Sequence, residues 1–144
     1  MSNATADLVE FAHREWPAHP LQLAPIHTET QRLLAPLNLS DDTEQAFVRA
    51  VDEAASNVVE HAYAPGPTDD AVTDHVASDD VVELTFWTED RSVCIEIVDH
   101  GRWRPPDATP SSSCSGFAIM IQLMPTVLIH YDSRGTRVLL RGTV

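Results

Sequence analysis

Three polar residues on one helical segment, Glu53, Asn57 and His61, recur at intervals of four and could act together. At about 100° per residue, Glu53 and Asn57 lie roughly 80–120° from the centre of that segment's apolar stripe, where a cleft can open beside the core. An amide oxygen is a neutral, hard ligand suited to Mg²⁺. A carboxylate can accept a proton from a nucleophile or a water. On spacing alone, a solvated polar helix face stays open as the alternative, and so does the role of His61.

Two later positions have the residue types of a ligand site. Asp99 ends an apolar strand, where a partly buried carboxylate can accept a hydrogen bond from an exocyclic amine. Gly101 lets the backbone turn or lets a ligand approach closely. Gly116 opens an apolar helix after a polar segment, and the free N–H groups of a helix N-terminus can bind phosphate. An ordinary Asp-x-Gly turn and a helix packed under a loop are the alternatives.

The helix that carries the first group is the clearest element, and the pattern predicts it from Asp41 to about Tyr63. Either Ser40 or Asp41 can cap it, and Glu44 stands three residues after Asp41, as in a capping box. Apolar residues recur at spacings of three and four, which predicts one buried stripe. The stripe consists of Phe47, Val51, Ala54, Val58 and Ala62.

The remaining elements are expected to form a sheet and two further helices. Alternating apolar residues predict strands, and Pro25 suits the first turn of a helix that Pro36 ends or bends. The predicted strands are Leu8–Trp16, Val81–Trp87, Val93–Val98, Val127–Tyr131 and Thr136–Leu140, and a third helix is predicted over Gly116–Met124. This order predicts an α/β (α+β) two-layer sandwich, with a mostly antiparallel mixed sheet and helices on one face.

Composition limits the classes of function. The chain has 144 residues, with 22 Asp and Glu against 9 basic residues, and a formal net charge of −13. We expect a loose tail over 1–7 and a single domain over 8–144. The acidic balance argues against direct nucleic-acid binding and against an anionic membrane surface. It still allows ATP, because a metal ion and backbone N–H groups can bind phosphates. Two cysteines, no export signal and no membrane span predict a cytoplasmic protein.

Taken in order, these motifs resemble the GHKL ATPase superfamily over about residues 8–142. Residues 51–63 (VDEAASNVVEHAY) resemble its N-box, and the E-A-x-x-N-x-x-E-H-A-Y pattern is close to the anti-sigma-factor serine kinases. Residues 98–106 (VDHGRWRPP) are similar to the D-x-G adenine box with an R-W-R-P-P continuation. Residues 116–120 (GFAIM) resemble the end of the second glycine box, and 135–140 (GTRVLL) resemble the G-T-x-V closing strand. The resemblance implies a Bergerat-type ATP-binding fold.

The resemblance implies chemistry for the long helix. Glu53 matches the general base that takes the proton from a substrate serine. Asn57 matches the Mg²⁺ ligand, so the implied cofactors are ATP and Mg²⁺. The implied reaction is phosphoryl transfer, which depends mostly on positioning and charge neutralisation and needs only a short set of residues.

The resemblance also implies a nucleotide pocket. Asp99 matches the carboxylate that accepts a hydrogen bond from the adenine amine, and Gly101 and Thr136 support it. Gly116 matches the junction between the lid and a helix near the phosphates. Cys114 stands where relatives usually have the first glycine of G-x-G, and the predicted lid over 101–115 is rich in Ser and Pro.

These features give two main hypotheses of function. The first is an ATP-dependent serine/threonine kinase of the anti-sigma type, which phosphorylates an anti-sigma-factor antagonist in a partner-switching system. The alternative is a non-catalytic anti-sigma module with weak or lost nucleotide binding. The implied partners are a sigma factor, its antagonist or both, and relatives often form homodimers. A domain acting on histidine fits less well, because the chain has no helical hairpin with a phosphorylatable histidine.

Overall fold

The computed structural model describes residues 8–62, 80–101 and 115–143. Five strands and three α-helices account for most of them. In chain order they are β1 (Leu8–Pro17), α1 (Leu23–Leu34), α2 (Asp41–Asn57), β2 (Val81–Glu89), β3 (Ser92–Asp99), α3 (Ser115–Leu123), β4 (Thr126–Asp132) and β5 (Gly135–Thr143). Short 3₁₀ turns lie at Pro20–Gln22 and Ala35–Leu37, and a π-helical segment at Val58–Ala62 follows α2 directly.

The strands form one open sheet in the order β1-β2-β3-β5-β4, and each neighbouring pair is antiparallel. A two-residue turn joins β2 to β3, and its first residue, Asp90, takes a left-handed conformation with φ 56°. The helices pack on one face of this sheet, since α2 contacts β3 and β5 while α1 and α3 contact α2. The predicted two-layer α/β sandwich is confirmed.

The core lies between α2 and alternate residues of the central strands. In β2, Val82, Leu84 and Phe86 are fully buried, as the period of two requires for a half-buried strand. Phe47 of α2 is also fully buried, and a Cβ at Gly142 of β5 would lie only 2.8 Å from its ring. A glycine in β5 therefore lets the long helix approach the sheet closely.

Helix α2 begins as one of the two predicted alternatives requires. Ser40 is the cap, because its side chain accepts a hydrogen bond from the Thr43 N–H. Asp41 is consequently the first helical residue, and the acidic first turn lies at the positive end of the helix dipole. The five residues of the predicted stripe, Phe47, Val51, Ala54, Val58 and Ala62, are all buried.

The end of α2 and the pairing of β1 differ from what residue spacing predicts. The α-helical hydrogen bonding ends at Asn57, and Val58–Ala62 continue as a π-helix, which apolar spacing does not distinguish from an α-helix. Strand β1 has a register shift between Glu10 and Ala12, which explains why its sequence alternates poorly. Residues 1–7, 63–79, 102–114 and 144 lie outside the described residues, and they include the predicted tail, the predicted helix end at Tyr63 and most of the predicted lid. Within the described ranges, no helix is long and apolar enough to cross a membrane.

An ion-pair cluster joins β1 to α1. The Glu29 carboxylate accepts hydrogen bonds from Arg32 Nε at 2.7 Å and from Arg14 Nε at 2.9 Å. The hydrogen bonds from Arg32, and then from Arg14, lower the pKa of Glu29 to about 2. A lowered folded-state pKa stabilises the fold above the unfolded value of about 4.3, and this contribution disappears as the pH falls towards 2.

We therefore expect Glu29→Gln to lower the free energy of unfolding at pH 7 by about 1 kcal/mol, since the pairs are partly exposed. The difference from wild type should shrink between about pH 4 and pH 2. Urea unfolding across this pH range would measure it, with Glu10→Gln on the exposed part of β1 as the control. A deficit that is constant with pH would show that the carboxylate charge is not responsible.

Candidate functional site

The end of α2 and the ends of β3 and β5 enclose a small hollow. Asn57 of α2, Asp99 of β3 and Thr136 of β5 contribute its polar lining. Its apolar lining comes from Ala54, Val58, Ile97 and Val138. The hollow holds about 10 Å³, room for about one water molecule. The described residues therefore form the polar floor of a candidate site, and the hollow is smaller than a purine.

Asp99 is a buried carboxylate at the last position of β3. It is only 4% exposed and stands between Val82 of β2 and Thr136 of β5 in the sheet register. Its Oδ1 accepts a hydrogen bond from the Gly101 N–H at 3.0 Å, and the Thr136 N–H also donates to the carboxylate. Burial raises the pKa of Asp99, while the two backbone N–H groups oppose that rise. The carboxylate is thus held in place, and it is costly to keep ionised in this position.

Gly101 approaches the protein's own backbone closely. A Cβ at this position would lie 2.1 Å from the Ala62 carbonyl oxygen, so a larger residue does not fit without a shift of the chain. The sequence predicted a turn or a close approach here, and the described residue in close contact is Ala62 of the π-helical segment. π-Helical turns are rare and occur often at functional sites. Gly101 therefore links the end of the long helix to the Asp99 carboxylate.

Thr136 has an unsatisfied hydroxyl. It is 4% exposed, and among the described residues its Oγ1 is a buried side-chain oxygen with no hydrogen-bond partner. Burying a hydroxyl without a partner costs about 1–3 kcal/mol. Because this group lies on the lining of the hollow beside Asp99, the arrangement fits a ligand or a water that supplies the missing partner.

We expect Thr136→Val to have opposite effects on folding and on ligand binding. The nearly isosteric change removes the unsatisfied hydroxyl, so the free energy of unfolding should stay the same or rise by up to about 1 kcal/mol. Affinity for a nucleotide that uses the hydroxyl should fall. Urea unfolding and titration calorimetry with Mg-ATP would measure the two effects.

Thr30 provides a matched control for that experiment. It is also fully buried, but its Oγ1 donates to the Ile26 carbonyl at 2.8 Å. Thr30→Val should therefore lose about 1 kcal/mol of stability and leave nucleotide affinity unchanged. If Thr136→Val also loses stability with unchanged affinity, its hydroxyl has a structural role only.

Glu53 lies one helical turn before Asn57 but is not part of the lining of the hollow. Its side chain is 27% exposed, and Oε1 lies 3.9 Å from Arg49 Nε. The Glu53 carboxylate is therefore accessible to a partner molecule at the edge of the hollow, beside Asn57. The structure brings Asn57, Asp99, Gly101 and Thr136 together and leaves Glu53 beside them.

The other predicted positions are placed only by their backbone. Gly116 is the second residue of α3, which packs against α2, and His61 belongs to the π-helical segment. The His61 side chain lies outside the described residues, as does Cys114. Within 8–62, 80–101 and 115–143, no group of three or more His, Cys, Asp or Glu side chains could hold a metal ion. A Mg²⁺ ion could take one amide oxygen from Asn57 and the rest of its ligands from phosphates and water.

Sequence reasoning missed the apolar half of the lining and the π-helical segment. Ile97 and Val138 face each other in the register of β3 and β5, and both lie on the helix side of the sheet. Ile97 stands two residues before Asp99 and Val138 two residues after Thr136, and residues two apart on a strand share a face, so this spacing was a signal that could have placed them there. Nothing in the spacing of Val58–Ala62 marks the change from α- to π-helical hydrogen bonding.

Comparisons with known proteins agree with this geometry. The family model described as a histidine kinase-like ATPase domain matches residues 16–141. One solved structure, of the RsbU and RsbW domains of Rv1364c from Mycobacterium tuberculosis, superimposes with a TM-score of 0.66 at 16% sequence identity. The match covers 92% of this chain and 32% of that one, so the chain spans about a third of its length. At this identity the likeness establishes the fold alone. None of the curated proteins searched matches the chain.

Proposed function

The chain belongs to the histidine kinase-like ATPase domain family, and from this premise we propose that it is an anti-sigma-type serine/threonine kinase. It binds ATP with Mg²⁺ and phosphorylates a serine on an anti-sigma-factor antagonist in the cytoplasm. The observation that carries the proposal is the hollow in which Asn57, Asp99 and the unsatisfied Thr136 hydroxyl meet. These are the residues that the sequence motifs selected independently.

Adenine recognition follows from the chemistry of Asp99. An ionised carboxylate accepts hydrogen bonds only, so it selects a base edge that donates, such as the exocyclic amine of adenine. The N–H groups of Gly101 and Thr136 fix its position before a ligand arrives, which reduces the ordering cost of binding. Thr136 Oγ1 can donate to or accept from a ring nitrogen or a bridging water beside it.

Phosphoryl transfer requires the residues at the end of α2. The Asn57 amide oxygen is the group that would hold Mg²⁺, and the ion would supply neutralisation of the phosphate charge. Glu53, one turn earlier and accessible, would orient the attacking serine hydroxyl and accept its proton. The helix thus fixes the distance between the carboxylate and the amide, and this positioning is the main contribution of the protein.

The partner assignment extends the fold likeness. A structure that contains an RsbW domain shares this fold, which supports an antagonist protein or a sigma factor as the partner. The partly exposed Glu53 carboxylate fits a protein substrate whose serine enters from the solvent side. A homodimer is also part of the proposal, because relatives resembling this chain often dimerise.

A second function, a non-catalytic partner-binding module, is favoured by one observation. The hollow formed by the described residues has a volume of only about 10 Å³, which is too small for a purine. In this alternative the protein binds a sigma factor or antagonist and transfers no phosphate. The hollow must widen for the kinase hypothesis and need not widen for the module.

Calorimetry with Mg-ATP, followed by a transfer assay with labelled ATP, distinguishes the two. The substrate in the assay is a purified antagonist-type protein. Saturable binding and one phosphoserine on the antagonist would support the kinase. Tight antagonist binding by nucleotide-free protein, with no phosphate transferred when Mg-ATP is added, would support the module and overturn the kinase.

A further inference from the structure

A second cleft lies at the same end of the sheet but on the face turned away from the helices. It has a volume of about 310 Å³, which is within the size range of small-molecule sites. Val98, His130 and Arg137 line it, and they alternate along the strands with Asp99 and Thr136, which line both this cleft and the hollow. The cleft therefore adjoins the hollow described above at Asp99 and Thr136, while its basic residues are not part of the lining of the hollow.

The cleft concentrates basic side chains in a strongly acidic protein. The chain has 9 basic residues, all of them arginine, and a net charge of −13. Two of these arginines, Arg134 and Arg137, line the cleft together with His100 and His130, and the carboxylates of Asp99 and Asp132 line it as well. Two guanidinium groups in one cleft attract an anion locally, although the protein as a whole carries a negative charge.

Arg134 has a guanidinium without a hydrogen-bond partner among the described residues. It lies in the turn between β4 and β5, where its backbone N–H donates to Asp132 Oδ1 at 2.7 Å. This hydrogen bond fixes the turn, and Gly135 completes it with a φ of 139° that favours glycine. In the described part of the chain the Arg134 guanidinium has no ion pair or hydrogen bond. The turn therefore holds at the rim of the cleft a guanidinium that has no hydrogen bond to a described residue, and its charge interacts with the Asp132 carboxylate.

Acidic neighbours only partly neutralise the other basic groups. Arg137 Nη1 lies 3.4 Å from Glu96 Oε1, with 58% of its side chain exposed. His130 Nε2 lies 3.6 Å from Asp132 Oδ2, and His100 Nε2 lies 3.1 Å from Glu83 Oε1. The Asp132 carboxylate also accepts a hydrogen bond from the backbone N–H of Arg134. Exposed pairs of this kind contribute little, so an anion with several oxygens can displace them or add to them.

We propose that this cleft binds the phosphate group of a phosphate monoester. Two guanidinium groups present planar pairs of N–H donors that match phosphate oxygens. Together they can donate to the three terminal oxygens of a phosphate monoester, whereas a carboxylate has only two oxygens. A volume of about 310 Å³ leaves room for the organic part that carries the phosphate. The source is either a phosphoserine in a protein or a free small phosphate ester. The proposal does not depend on the kinase function.

The test is a titration followed by the NMR signals of the arginine Nε–H groups. The probes are inorganic phosphate, free phosphoserine, and one peptide in its phosphoserine and unmodified serine forms. We expect saturable binding of the phosphorylated probes, weakened at least about tenfold by Arg134→Gln and by Arg137→Gln. Arg91→Gln, in the turn between β2 and β3, is the matched control and should leave binding unchanged.

The outcomes separate the sources and the sites. A phosphopeptide that binds more tightly than free phosphoserine indicates a protein-borne phosphate, and equal affinities indicate a small ester. Asn57→Ala should leave phosphoserine binding intact, because Asn57 lines the hollow and not this cleft. Binding that Asn57→Ala abolishes, that neither arginine change weakens, or that never saturates would overturn the proposal.

Discussion

Replacing Asp99 by asparagine is expected to weaken ATP binding by about 10- to 100-fold and to change which nucleotide binds best. The carboxylate is an acceptor only, whereas the asparagine amide also donates. A hydrogen bond to a charged group contributes about 1.5–3 kcal/mol, which corresponds to that loss. Asparagine keeps an oxygen that can accept from the Gly101 N–H, so the turn should survive. Titration calorimetry with Mg-ATP measures the effect.

Inosine triphosphate provides the matched ligand for this experiment. It carries a carbonyl where ATP carries the exocyclic amine, so wild-type Asp99 should bind it weakly. In Asp99→Asn the new amide N–H can donate to that carbonyl, and the preference for ATP should disappear or invert. Asp99→Ala should lose binding of both nucleotides. If Asp99→Asn binds ATP as tightly as wild type, Asp99 is not the adenine-recognising group.

The pH dependence of binding gives a second test of Asp99. Burial raises its pKa, and the adenine amine requires the ionised form. Nucleotide affinity should therefore fall on acidification at a higher pH than an ordinary aspartate would produce. The sign for stability is opposite, because a raised folded-state pKa stabilises the fold below the unfolded value and this contribution disappears as pH rises. Asp99→Asn should remove both trends.

Residue spacing alone was enough to predict the five strands of the sheet and the buried face of α2. The stripe from Phe47 to Ala62 is buried throughout, because packing on a sheet requires one apolar helix face whatever the hydrogen-bond pattern. The same spacing is compatible with α- and π-helical turns, so the change after Asn57 could not be predicted. The close approach of Gly101 to the Ala62 carbonyl in this segment is a tertiary contact, which residue spacing does not contain.

The residues of the candidate site could be predicted from the sequence, but the size of the hollow and the directions of its side chains could not. The motifs selected Asn57, Asp99 and Thr136, and these residues share one hollow. Whether Thr136 Oγ1 finds a partner, and whether Glu53 joins the lining, depends on side-chain directions that a one-dimensional pattern does not contain. Spacing placed Glu53 one turn from Asn57, and the structure adds that it faces Arg49 at the edge.

Glu53→Gln is expected to separate binding from chemistry. The change keeps the shape of the side chain and removes its ability to take a proton. Since Glu53 does not line the hollow, Mg-ATP affinity should stay within about twofold of wild type. Phosphate transfer to the antagonist should fall by about 10²- to 10⁴-fold, the usual contribution of a general base. Single-turnover transfer at saturating ATP measures this loss directly.

Asp52→Asn is the matched control, because it neutralises the adjacent carboxylate. Asp52 accepts a hydrogen bond from His27 Nδ1 at 2.8 Å between α1 and α2, so its loss should reduce stability and leave transfer intact. A Glu53→Gln variant that transfers phosphate at the wild-type rate would mean that positioning and charge neutralisation suffice without a base. A variant that loses ATP binding as well would make Glu53 a structural residue of the helix. Retained binding with lost transfer would assign Glu53 to the proton of the attacking serine, because ATP binding reports that the neighbouring Asn57 is still in place.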